Sequence, residues 1–265
     1  MLKDITLGQY FPGDTVVHRL DPRTKILLVI VYIVALFEAK GWVGYAVMTA
    51  VTIACSALSH IHPKNIFKGL KPMIFLIVFT AALNIFYTDG RPVLPGWPIT
   101  WEGLDRAAKM IARIVLLITG TFLLTYTTSP MALTDGMERL MSPLKKIGLP
   151  VHEMTLMMSM ALRFIPTLIE ETDKIMSAQK ARGADFENGN LVKRAKALLP
   201  ILVPLFVSSF RRADDLAVAM ESRCYHGGEG RTRMKQLRFA WRDLWAFLLG
   251  ALLLAGMIVL KRMGL

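Results

Sequence analysis

Three stretches of this chain hold more consecutive apolar side chains than a water-exposed element tolerates: ILLVIVYIVALF (26–37), MIFLIVFTAALNIFY (73–87) and LWAFLLGALLLAGMIVL (244–260). Outside a large core, only hydrocarbon solvates such runs, and there every backbone N–H and C=O must be satisfied within its own helix. The expected fold is therefore all-α: a polytopic integral membrane protein. Composition agrees, with 54% of 265 residues hydrophobic against about 45–50% in soluble domains.

Spans are expected at about 25–40, 42–60, 72–88, 109–128 and 243–261. The first run has only 12 continuous apolar residues, short of the ~20 that cross a bilayer. Snorkelling of Lys25 and Lys40 would lengthen it. Asp21 suits a helix N-cap and Pro22 the first helical position, with Arg23 and Lys25 marking a membrane border. Nothing resembling a cleavage site follows the first run, so it reads as a retained span. Cys55 and Cys224, one in an apolar and one in a polar stretch, imply no disulfide framework.

Loop charge sets orientation. The 60–71 loop carries Lys64, Lys68 and Lys71 and no acid, whereas 88–108 carries Asp89, Glu102 and Asp105 against Arg91 and Arg106. By the positive-inside rule the first is cytoplasmic and the second external. Five spans with a cytoplasmic N-terminus follow, leaving Lys261 and Arg262 on the unfavoured side. The net charge of +12 is accounted for by that rule, and no aromatic-basic pattern points to nucleic acid.

Residues 129–242 form a segment of different character between the spans of 1–128 and the last span in 243–265. It holds 18 Lys+Arg and 12 Asp+Glu among apolar residues at helical spacing. Met154, Met157, Met158, Ala161, Ile165, Leu168, Ile175 and Met176 line one face of a long helix interrupted by Pro166. Leu199, Leu202, Phe206, Phe210, Ala213, Ala217 and Met220 do the same in a second, with Pro200 and Pro204 near its start, and a shorter helix covers roughly 131–146.

The two long helices end alike. Ala181-Arg182-Gly183 closes the first and Ser222-Arg223-Cys224 the second, 41 residues apart, and the same offset aligns Asp173 with Asp214 and Ala178 with Ala219. A glycine-containing segment follows each, Gly183 in one case and Gly227-Gly228 in the other. An arginine in the last turn with glycine beyond it is ordinary helix-stop chemistry. Two arginines at matched phase, flanked by small residues, are also suited to entering two similar partner grooves and gripping carboxylates there.

With these motifs the chain resembles the transmembrane (T) component of energy-coupling factor (ECF) transporters. The resemblance rests on the Asp21-Pro22-Arg23-Thr24-Lys25 start and the two arginine motifs, and it covers essentially the whole chain. It implies a non-catalytic coupling subunit in the cell membrane. Two ABC-type ATPase subunits carrying ATP and Mg would bind the arginine tips, and a small membrane S component would bind a vitamin or other micronutrient. The Met154, Met157, Met158 and Ala161 face would dock that S component, because methionine repacks against varied partners. No P-loop, nucleophile elbow or HExxH occurs, so no ATP hydrolysis is expected of this chain.

Other readings are a dedicated cobalt or nickel uptake subunit, drawn from His60 and His62, and a membrane scaffold. A lipid or diphosphate enzyme would need Mg²⁺ held by Asp214, Asp215, Glu170, Glu171 and Asp173, which lie among Arg211, Arg212 and Lys174 as a salt-bridged surface would.

Overall fold

The computed structural model describes residues 10–92, 99–184, 186, 190–227 and 237–263. The described residues form nine α-helices and no strand beyond an isolated bridge between Pro92 and Thr100. In chain order they are α1 (Pro22–Glu38), α2 (Trp42–Leu58), α3 (Pro63–Leu70), α4 (Ile74–Tyr87), α5 (Trp101–Thr127), α6 (Pro130–Met141), α7 (Val151–Ala181), α8 (Leu191–Glu221) and α9 (Trp241–Arg262). They belong to two compact units: α1 to α6 with α9 in one, α7 and α8 in the other.

In the first unit, α1, α2, α5 and α9 surround a core of Ala35, Leu36, Ala39, Tyr45, Met48, Leu116 and Met257. Glycines make room for aromatic rings of neighbouring helices. A Cβ on Gly120 would lie 2.4 Å from the Tyr32 ring, and one on Gly69 2.3 Å from Phe122. The Tyr32 hydroxyl lies 2.7 Å from Thr52 Oγ1 and 3.1 Å from the Leu116 carbonyl oxygen, and its one proton can go to either acceptor. Thr49, Thr52, Thr119 and Thr127 each donate to the carbonyl four residues back, which satisfies hydroxyls that have no water to turn to.

Among the described residues, three stretches are long and apolar enough to cross a membrane: Pro63–Tyr87, Trp101–Thr127 and Trp241–Arg262. Two begin earlier than the sequence implied. Pro63 opens an amphipathic turn ahead of the apolar run, and the Thr100 hydroxyl caps α5 at Gly103 N–H (3.1 Å), so the charged turns around Asp105 and Lys109 are helical. Helices α1 and α2, at 17 residues each, are about 25 Å long, a little short of a ~30 Å hydrocarbon core. Helix α4 packs on α5 and buries no residue of its own, leaving Phe75 and Phe79 outward.

Contacts fix helix directions. Asp21 meets Asp243 at the starts of α1 and α9, and Lys261 pairs with Glu38 at their ends, so the two run side by side in one direction. Helix α5 runs opposite, with Lys25 bonded to Thr127 at one end and Arg113 Nη2 donating to the Ala39 carbonyl (3.2 Å) nearer the other. Glu38 therefore partners Lys261, one of the two cations that sit against the positive-inside expectation.

Helix α6 and the 3-10 turn Ser142–Ile147 match the short helix expected near 131–146. Gly136 of α6 lies against Pro22, Arg23 and Ile26, which brings α6 onto the start of α1.

Candidate site: twin arginine tips, a methionine face and a charged knot

Helix α7 ends in a Schellman motif: Gly183 N–H donates to Lys180 O (3.0 Å) and Ala184 N–H to Gln179 O (3.0 Å). Gly183 has φ +87°, the left-handed conformation the motif requires. Arg182 is the C-cap, one residue before the reversal. Helix α8 repeats both Schellman bonds at the equivalent positions. Cys224 N–H donates to Glu221 O (2.8 Å) and Tyr225 N–H to Met220 O (3.0 Å), and Cys224 takes the left-handed position at φ +53°. Arg223 thus occupies the place Arg182 occupies in α7. Both arginines are exposed, and among the described residues neither guanidinium has a hydrogen-bond or ion-pair partner. Gly183 and Gly227 fall within the described residues and Gly228 outside them.

On α7, Met154, Met157, Met158 and Ala161 all face outward, with Met157 61% exposed. The packing of α7 on α8 therefore does not use this face. The α8 face is also open: Leu199, Leu202, Phe206 and Phe210 are exposed, while Ile201, Leu205, Ser208, Arg212 and Leu216 lie on the more covered side. Among the described residues of this unit, two long apolar faces are left exposed. The sequence pattern gave the faces but not which of them would be buried. Of the acidic residues weighed as metal ligands, Glu171 is paired with Arg212 across α7 and α8.

The start motif is a buried charged knot. Asp21 caps α1, accepting from Arg23 N–H (2.9 Å), and holds the Arg23 guanidinium through both carboxylate oxygens (3.1 and 3.0 Å). Pro22 occupies the first turn. Asp21 N–H donates to Asp243 Oδ1 (2.9 Å), while Asp243 Oδ2 accepts from Ala240 N–H (2.8 Å) at the start of α9. Arg23 stacks over Phe239 at 4.2 Å. The Lys25 reading needs correcting. Lys25 does not snorkel: it is 5% exposed, and its ammonium turns inward to the carbonyls of His18 (3.1 Å) and Thr127 (2.8 Å) and to Thr128 Oγ1 (3.2 Å). The C-terminal carbonyls of α5 are unpaired by geometry and carry the negative end of its dipole, so a buried cation is favourable there. Asp243, the fourth charge of the knot, had no signal in the sequence beyond its place in the first turn of α9.

The chain also matches known proteins along its length. The family model for CbiQ, cobalt transport protein, matches residues 13–234. The chain belongs to the CbiQ family. Among curated relatives of this CbiQ-family chain, a protein of Thermosediminibacter oceani is 55% identical over 97% of the chain and 98% of its own length. One from Clostridium kluyveri is 56% identical over 99% and 98%, and one from Lactococcus lactis subsp. cremoris 50% over 91% and 92%. Each is named energy-coupling factor transporter transmembrane protein EcfT. The resemblance to ECF T components thus holds along the whole chain.

In this CbiQ-family chain the second tip departs from Ala-Arg-Gly at both flanks, Ser222 and Cys224, keeping each small, and at the third residue the backbone gives the consequence. A cysteine in the left-handed region is strained by about 1–2 kcal/mol where glycine is not. Cys224→Gly is expected to relieve about 1 kcal/mol of local strain, read as slower hydrogen exchange of the residue 224 and Tyr225 amides. Faster exchange there would mean that the Cys224 side chain itself holds the turn.

Proposed function

We propose that this chain is the coupling subunit of an ECF-type ATP-driven importer in the cell membrane. In this reading residues 129–242 and the N-terminus are cytoplasmic, and Arg182 and Arg223 each enter a groove on one of two ABC-type ATPase subunits. The Met154, Met157, Met158 and Ala161 face docks a membrane S component that carries a vitamin or other micronutrient. ATP and Mg belong to the ATPases, and this chain is not an enzyme.

The observation that carries the reading is the matched pair of tips: two Schellman ends, each presenting one exposed C-cap arginine. A helix-stop role needs the glycine or its substitute but not an unpaired guanidinium in the same place twice. The names of the relatives support the transporter assignment, and the loop charges support the sidedness. The family description keeps a dedicated cobalt subunit as a second reading. Several kinds of S component co-purifying with the tagged chain would favour the shared module, and a single metal-specific one the dedicated form.

The docking face has its own test. Met157→Asp with Met158→Asp would set two unpaired charges into an apolar contact, at several kcal/mol each. The S component is expected to be lost from the tagged complex while both ATPases stay. Retention of the S component at wild-type level would assign it to another surface.

A further inference from the structure

The offset of 41 that relates the arginine tips also relates the two residues that join the helices. Arg212 Nη2 donates to Glu171 Oε2, and the two positions are 41 apart. Glu171 lies 11 residues before Arg182, and Arg212 lies 11 before Arg223. Each helix therefore touches the other at the position equivalent to the one by which it is touched. Contact between equivalent positions is the mark of a two-fold axis. An axis through this ion pair puts both tips about 16 Å along their helices from it.

The charges around the pair fit such an axis. If the helices were identical there, like charges would meet at it and repel. Instead the sign inverts at three equivalent positions, Glu170 with Arg211, Glu171 with Arg212, and Lys174 with Asp215, whereas Asp173 and Asp214 keep the same sign. The ion pair is partly shielded, its side chains 33% and 23% exposed, so solvent screens it less than a fully exposed pair.

We propose that Glu171 and Arg212 are positioning residues: a charge-complementary pivot that fixes the separation and two-fold relation of the tips, so that two like ATPase subunits are engaged symmetrically. The inference rests on the coupling reading above for its role in uptake, but the geometry can be tested without it.

Spin-labelled residues introduced genetically at Ser177 and Val218, equivalent and exposed positions, report the distance between the helix ends by pulsed paramagnetic resonance. The isolated chain and the assembled transporter are both measured. A single narrow distance is expected in the unaltered pivot. Glu171→Arg or Arg212→Glu should broaden it and cut uptake about tenfold, with the ATPases still co-purifying. The double swap should restore both. The neutral variants Glu171→Gln and Arg212→Gln should broaden the distribution less, and they keep the test readable if a reversal fails to fold. An unchanged distribution in all single variants, or a double swap no better than its parents, overturns the pivot. Broadening with normal uptake overturns its role in coupling while leaving the arginine tips as assigned.

Discussion

Replacing Arg182 and Arg223 together by alanine is expected to abolish uptake while leaving the chain folded and inserted. A hydrogen bond to a charged group contributes roughly 1.5–3 kcal/mol, or about 10- to 150-fold in affinity per tip. Because the two tips are carried on one chain, loss of either alone is partly offset by the effective concentration the other provides. Each single variant should therefore retain reduced uptake and the double variant almost none. Stability should barely move. The Schellman bonds are made by backbone atoms of Gly183, Ala184, Cys224 and Tyr225 and do not involve the guanidiniums. An exposed arginine in a last turn contributes only about 0.3–1 kcal/mol through the dipole. Reversal to glutamate should be worse than alanine, since it would set like charges together in the partner groove. If the arginines only complemented the helix dipoles, the double variant would take up substrate normally. Uptake into cells or proteoliposomes, at matched expression, separates the two.

The second large effect concerns the charged knot. Lys25→Met and Asp243→Ala are each expected to destabilise the membrane unit by about 2–5 kcal/mol, because each leaves two or more buried polar groups without a partner at roughly 1–3 kcal/mol apiece. Lys25→Met leaves the Thr127 carbonyl and the Thr128 hydroxyl without their ammonium donor, and removes the cation that Asp21 and Asp243 attract electrostatically. Asp243→Ala unties the Asp21 N–H from the start of α9 and removes the acceptor for Ala240 N–H. Melting of the detergent-solubilised protein should fall by on the order of 10 °C, and the yield of inserted protein should fall with it. Lys40→Met, on an exposed lysine of the α1–α2 connection, should do neither. A snorkelling Lys25 would behave as Lys40 does.

What could be read from the sequence was the local chemistry. Asp21 before Pro22 announces a capped helix start, and that is how α1 begins. Gly183 after Arg182 announces a helix stop, and the matching of Cys224 to it through the 41-residue offset was visible before the backbone showed the same hydrogen bonds. The spans followed from apolar runs, although α5 starts at Trp101 because Thr100 caps a turn whose charges look like a loop. The parts that were not legible depend on partners far along the chain. Lys25 is buried by groups about a hundred residues away, and Asp21 meets a carboxylate 222 residues on. Periodicity identified the apolar faces of α7 and α8 but could not say which would be covered, since burial is decided by the packing partner.

The central claim is that two arginine tips hold two ATPase subunits. Native mass spectrometry of the complex, purified from its own membrane through a tag on this chain, tests it most directly. The account predicts one copy of the chain with two ATPase subunits in the wild type, mixed loss in each single arginine variant, and the chain without ATPases in Arg182→Ala, Arg223→Ala. A double variant that keeps both ATPases at wild-type occupancy would contradict it.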